Sequence, residues 1–138
     1  MKNAMVKVGF FVGLLVVTTV VSASGQTVSR SRIEIPFDFT IGQTNYSAGQ
    51  YAIIVNDSKM FTITDKSGKS LFNTGVSANQ AVPGAIGTRL TFNRYENRYF
   101  LTRIASAAYG SKLDKSEDEQ KMAENRSMPM KTVSIKTK

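Results

Sequence analysis

Apolar and polar residues alternate along Ile33, Ile35, Phe37, Phe39 and Ile41, with Glu34, Pro36, Asp38 and Thr40 between them. Apolar positions at a period of two predict a half-buried strand. Pro36 cannot donate to a ladder, so this strand is expected at a sheet edge or with a bulge. Gly42-Gln43 opens a turn, and residues 46–50, Y-S-A-G-Q, read as a short loop in which Gly49 supplies an unusual backbone angle. A β-rich run at 51–55 closes on Asn56-Asp57-Ser58. The next, at 60–64, puts Phe61 and Ile63 on one face and ends in the hairpin turn Asp65-Lys66-Ser67-Gly68. Residues 69–76 return with Leu71 and Phe72.

Residues 77–87 break the pattern, and with Pro83, Gly84 and Gly87 among small residues they form the longest expected loop. Residues 88–95 and 98–104 then make the clearest hairpin, joined through Glu96-Asn97. Leu90 and Phe92 share a face on the first arm. On the second, simple alternation puts Tyr99 with Leu101 and Phe100 with Ile104, two apolar faces that suit the middle of a sandwich or barrel. After a linker, Ser116-Glu117-Asp118-Glu119 matches a capping box, with Ser116 capping and Glu119 reaching back. The helix is expected over 117–125, ended by Met128-Pro129, and Val133 and Ile135 mark either a closing strand or a loose basic tail. Close-spaced strands with turn chemistry between them predict an all-β chain, a small antiparallel β-sandwich or barrel with a short C-terminal helix.

A different pattern occupies the start. Lys2 and Lys7 precede an uncharged, mostly apolar run over 8–21, and Val21-Ser22-Ala23 places small or compact residues where a signal peptidase cuts. The run is shorter than the roughly 20 residues of a spanning helix. The expectation is a signal peptide over 1–23 cleaved after Ala23, a flexible lead-in over 24–31, a β domain over 32–113, and a helix with a basic tail over 114–138. The mature chain would then work in the periplasm or outside the cell, with no transmembrane span.

Loss of Lys2 and Lys7 lowers the net charge from +8 to +6, which favours anionic partners. The chain has no cysteine and no histidine. Without them there is no disulfide framework, no thiol nucleophile, no Ser-His-Asp triad, and no zinc, copper or non-haem iron site built on those ligands. Cohesion must come from packing and hydrogen bonds.

Arg89, Arg94, Tyr95, Arg98, Tyr99 and Arg103, with Phe100 among them, crowd the 88–104 hairpin. Arginines interleaved with aromatics suit an anionic or sugar-like ligand, and they also stabilise an exposed sheet face. Export makes nucleic acid the least expected ligand; an acidic glycan or lipid surface fits better. Asp38, Asp57, Asp65 and Glu96 are scattered where a glycosidase would need two converging carboxylates. Asp57 and Asp65 are explained by turns, and neither turn matches an EF-hand calcium loop.

Three segments, I-E-I-P-F-D-F-T-I-G at 33–42, S-A-G-Q-Y at 47–51 and F-N-R-Y-E-N-R-Y-F-L at 92–101, together with the K-S-E-D-E helix start, resemble a group of small exported proteins of soil bacteria. The likeness runs through nearly the whole mature chain. It implies a β-rich exported fold and brings no activity with it. Ala105-Ser106 depart from that pattern, which has an aromatic after the hairpin.

The reading is an exported, non-catalytic module that needs no cofactor and no metal. It binds an unknown anionic or protein partner in the envelope or outside the cell through its sheet face. The alternatives are a carboxylate- or metal-dependent hydrolase, and an assembly subunit that adds an edge strand, from the Pro36 strand or from Val133–Ile135, to a neighbour.

Overall fold

The computed structural model describes residues 28–125 and 127–138. The leader reading, with its cleavage after Ala23, lies outside the described residues. Two sheets face each other around one apolar core. One has the order β1 (Ser29–Ile35), β4 (Gly49–Val55), β5 (Met60–Asp65), β6 (Ser70–Gly75). The other runs β10 (Met130–Lys136), β7 (Arg89–Tyr95), β8 (Arg98–Ala105), β2 (Phe39–Ile41), β3 (Thr44–Tyr46), with β9 (Gly110–Lys112) also on β8. A short 3₁₀ turn at Ala78–Gln80 and the helix α1 (Glu117–Glu124) complete the elements of the described residues. No helix among the described residues is long and apolar enough to cross a membrane.

The alternating run at 33–41 forms two strands rather than one. β1 pairs with β4 in the first sheet, and β2 lies beside β8 and β3 in the second. Pro36 sits at the corner where the chain changes sheets, so its missing donor falls between ladders. Alternation survives the corner because both strands contribute to the same core: Ile33, Ile35, Phe39 and Ile41 are all buried. Phe37, in the corner, stacks on Tyr99 with ring centroids 3.7 Å apart and meets Phe92 edge-on at 5.0 Å.

The expected flexible lead-in is strand from Ser29 onward, with Ser29 opposite Val55 and Arg30 opposite Ile54. At the other end, Met130–Lys136 is the closing strand, registered on β7 from Met130 opposite Tyr95 to Lys136 opposite Arg89. Gly49 does not need a left-handed backbone; among the described residues the glycines with positive φ are Gly42, Gly68, Gly84 and Gly87. The turn at Asp65 behaves as its chemistry demands, its Oδ1 accepting from the Ser67 hydroxyl (2.6 Å), Ser67 N (2.9 Å) and Lys69 N (3.0 Å). Those bonds, led by the Ser67 hydroxyl, hold the carboxyl below its ordinary range.

On the 88–104 hairpin, simple alternation fails at one point. The register shifts between Thr91, opposite Arg103, and Phe92, opposite Leu101, which leaves Thr102 as an extra residue on β8. This bulge brings Leu101 and Ile104 to the same, inner face, where both are buried with Leu90 and Phe92. Phe100 points to the outer face and does not share a side with Ile104. The edge partner of β8 also changes at the bulge: Phe100 lies beside Thr40 of β2, and Arg103 beside Lys112 of β9.

Both seams of the sandwich are tied. Ser77 bridges Gly110, and the Thr74 and Ser111 hydroxyls lie 2.8 Å apart, linking β6 to β9. Across the other seam, Lys138 N donates to the Arg32 carbonyl at 3.3 Å.

Candidate functional site

Register determines which residues share the outer face of the second sheet. Paired residues point the same way, and Leu90, Phe92, Leu101 and Ile104 point inward. The outward rows are therefore Lys136–Arg89–Ala105–Gly110 and Ser134–Thr91–Arg103–Lys112, then Thr132–Asn93–Phe100 and Met130–Tyr95–Arg98.

The two ends of this face differ. The hairpin-turn end is covered by α1. Ser116 caps that helix, its Oγ accepting from Glu119 N at 3.2 Å. The Glu119 side chain does not reach back as a capping box would. It is buried at 2 % exposure, and its Oε1 accepts from Asn93 Nδ2 at 2.8 Å and from the Tyr95 hydroxyl at 3.3 Å. Tyr95 is buried too and packs edge-on against Phe100, with centroids 5.9 Å apart. Burial and the Glu119 charge raise the Tyr95 pKa above its ordinary value. Arg98 lies over the Phe100 ring at 4.9 Å and pairs with Asp118 at 3.7 Å. This cluster seats a helix with little apolar surface of its own.

The opposite end carries Lys136, Arg89, Arg103 and Lys112 on four adjacent strands, with hydroxyls of Thr91 and Ser134 among them. Lys112 and Lys136 are exposed; the two arginines are half-buried. Arg89 and Arg103 are diagonal neighbours, about 7–8 Å apart by antiparallel geometry. Arg103 donates one guanidinium N–H to the Gln80 carbonyl at 2.6 Å, while Nε of both arginines is buried without a hydrogen-bond partner. No carboxylate stands in either cationic row. Nor does any occur in residues 66–95 or 125–138, which supply β6, β7, β10 and the long loop. Among the described residues neither arginine has a carboxylate within ion-pair distance, and half-buried like charges of this kind raise the local positive potential. This arrangement can hold an anionic group by charge-assisted hydrogen bonds.

The six hairpin residues singled out from sequence thus do not form one patch. Arg89 and Arg103 lie at the cationic end, while Tyr95 and Arg98 lie under or beside α1. Arg94 and Tyr99 belong to the inner side at the rim, with the Arg94 guanidinium 5.4 Å from the Tyr99 ring and its Nε on the Glu96 carbonyl at 2.7 Å. Lys112 and Lys136 were not among the sequence candidates. Each is one of many lysines until β9 and β10 are registered beside the hairpin.

A shallow groove of about 670 Å³ lies elsewhere, along β1 and the Asp65 turn. Arg30, Arg32, Lys66 and Lys138 line it together with Glu34 and Asp65. Its mixed charge makes it a poorer anion site than the acid-free rows of the second sheet. Other carboxylates also have structural duties: Asp38 Oδ1 accepts from Ala48 N at 2.8 Å, Asp118 faces Arg98, and Glu119 is enclosed. Comparison with protein-family models, with curated proteins and with solved structures finds no match to this chain.

Proposed function

We propose that this chain is an exported, non-catalytic binding module that engages an anionic partner through the outer face of its second sheet. The observation that carries this reading is the registered group Arg89, Arg103, Lys112 and Lys136, four cations on four neighbouring strands with no carboxylate in their rows. A rigid, pre-paired sheet fixes these side-chain bases before any ligand arrives, so little ordering cost attends binding. Two arginines among the four cations favour oxyanions, which guanidinium groups hold in a forked geometry. The engagement of Asp38, Asp65, Asp118 and Glu119 in structural bonds supports a binding role over carboxylate chemistry. β10 is a seven-residue edge strand, yet its outward side chains include Lys136, and edge lysines discourage strand addition by a neighbour.

The test is binding to dextran sulfate, a soluble polyanion, across a salt series. The intact protein should bind, and added salt should weaken it. The double variant Lys112→Glu/Lys136→Glu, which changes two exposed side chains, should lose about tenfold or more in affinity at low salt while keeping the β-rich circular dichroism of the parent. Unchanged affinity in that variant, or no binding by the parent to glycan, lipid or polyanion probes, would overturn the proposal.

A further inference from the structure

The loop at 82–87 borders the cationic end and has the opposite chemistry. Val82-Pro83-Gly84-Ala85 is a closed turn, with Ala85 N donating to the Val82 carbonyl at 3.0 Å and Gly84 at φ 81°. Pro at the second position and a positive-φ Gly at the third are what a type II turn requires. The loop is fastened on both sides. Val82 N donates to the Ser106 carbonyl at 2.9 Å. On the far side Thr88 N donates to Thr137 Oγ1 at 2.9 Å, and Thr137 N donates back to the Thr88 carbonyl at 2.8 Å. Gly87, at φ 70°, lies against Thr137. Between these fastenings Ile86 stands 89 % exposed, with exposed Pro83 and half-buried Val82 and Ala85 beside it.

A single exposed apolar residue is ordinary. Ile86 differs in being held out by an anchored loop, and in its neighbours. Lys136 and Lys138 flank the Thr137 that fastens the loop, and Arg89 begins the strand that follows it. The loop, β7 and β10 all lie within 66–95 and 125–138, which contain no Asp or Glu.

We infer that this end of the sandwich docks on an anionic lipid surface, with Ile86 entering the headgroup boundary and Arg89 and Lys136 meeting the phosphates. The inference rests on the proposed anion-binding face and names its partner. A soluble polyanion would use the cations and leave the apolar tip in water. A lipid interface takes both, since amphipathic surfaces bind there by apolar burial together with attraction to anionic headgroups.

The chain has no cysteine, so one introduced thiol can be labelled alone. Ile86→Cys carries an environment-sensitive fluorophore, and Asn97→Cys, exposed in the turn at the opposite end of β7 and β8, carries the control. With phosphatidylglycerol vesicles, the label at 86 should shift to the blue and be quenched by brominated acyl chains. The label at 97 should do neither, and phosphatidylcholine vesicles should leave both unchanged. The unlabelled variant Ile86→Ser, which removes the apolar side chain without adding charge, should bind phosphatidylglycerol vesicles about tenfold more weakly and dextran sulfate as well as the parent. Persistent dextran sulfate binding with a label at 86 that stays in water overturns the lipid inference and leaves the cationic-face reading standing. Equal blue shifts on both lipids overturn the role of charge, and failure to bind either probe overturns both readings.

Discussion

Removing the Glu119 carboxylate would strand two donors, the Asn93 amide and the Tyr95 hydroxyl, beneath α1. Unpaired buried donors cost about 1–3 kcal/mol, so Glu119→Ala is expected to lower unfolding stability by that amount in urea titrations. Glu119→Gln, which keeps an acceptor for Asn93, should cost less. The same cluster creates an alkaline limit. Burial and then the Glu119 charge raise the Tyr95 pKa, and burial followed by Asp38 and Asp65 raises that of Tyr51. A raised folded pKa means that the fold favours the neutral phenol. That stabilisation is complete below the ordinary phenol value of about 10 and is lost as pH rises through the folded values. The urea midpoint should therefore fall at alkaline pH, and a midpoint flat to pH 11 or so would contradict this. The capping motif was legible as Ser116 followed three residues later by Glu119. The destination of Glu119 was not, because a local motif cannot show that Asn93 and Tyr95 will be brought over the same turn.

β8 shows how one inserted residue reorganises an element. Without the Thr102 bulge, period-two alternation would turn Ile104 away from Leu101 and out of the core. Deleting Thr102 would leave Leu101 and Ile104 two positions apart, where plain alternation keeps both inward, so the deletion variant is expected to retain a cooperative thermal melt; loss of the transition would contradict this reading of the bulge. The 3₁₀ turn and β9 depend on an equally local fit. A side chain on Gly110 would collide with the Gln80 backbone carbonyl, which cannot swing aside as a flexible side chain would. Gly110→Ala should destabilise by about 2 kcal/mol or more, in the range of severe backbone conflicts, and should loosen the Arg103 bond to Gln80. These elements also mark where sequence reading ends. The hairpin arms, the Asp65 turn and α1 follow from adjacent residues and were legible in them. A bulge leaves no signature in alternation when both faces of a strand carry apolar residues, as Phe100 and Leu101 do. Pro36 signalled an interruption, and the choice between bulge, edge and sheet change depended on partners far along the chain.

The molecule as a whole is two sheets joined at tied seams, and its surface chemistry is a product of strand order. Sequence proximity gathered the hairpin arginines and aromatics, and folding then separates them: Arg94 and Tyr99 to the inner rim, Tyr95 beneath α1, Arg89 and Arg103 to the open end. Lys112 and Lys136 join that end only through the pairing of β9 with β8 and β10 with β7. Truncation at residue 127 should accordingly do more than remove a tail. It takes away β10 and uncovers the edge of β7 beside Leu90 and Phe92, and the shortened chain should associate or lose its cooperative transition on size-exclusion and melting analysis. The central claim, an anionic partner held on one defined face, is tested most directly by mapping backbone amide shifts during titration with dextran sulfate. The account expects saturable, salt-sensitive shifts concentrated at Arg89, Arg103, Lys112 and Lys136 and their strand neighbours, with the 96–97 turn unmoved. Shifts centred on the β1 groove, or spread evenly over both sheets, would contradict it.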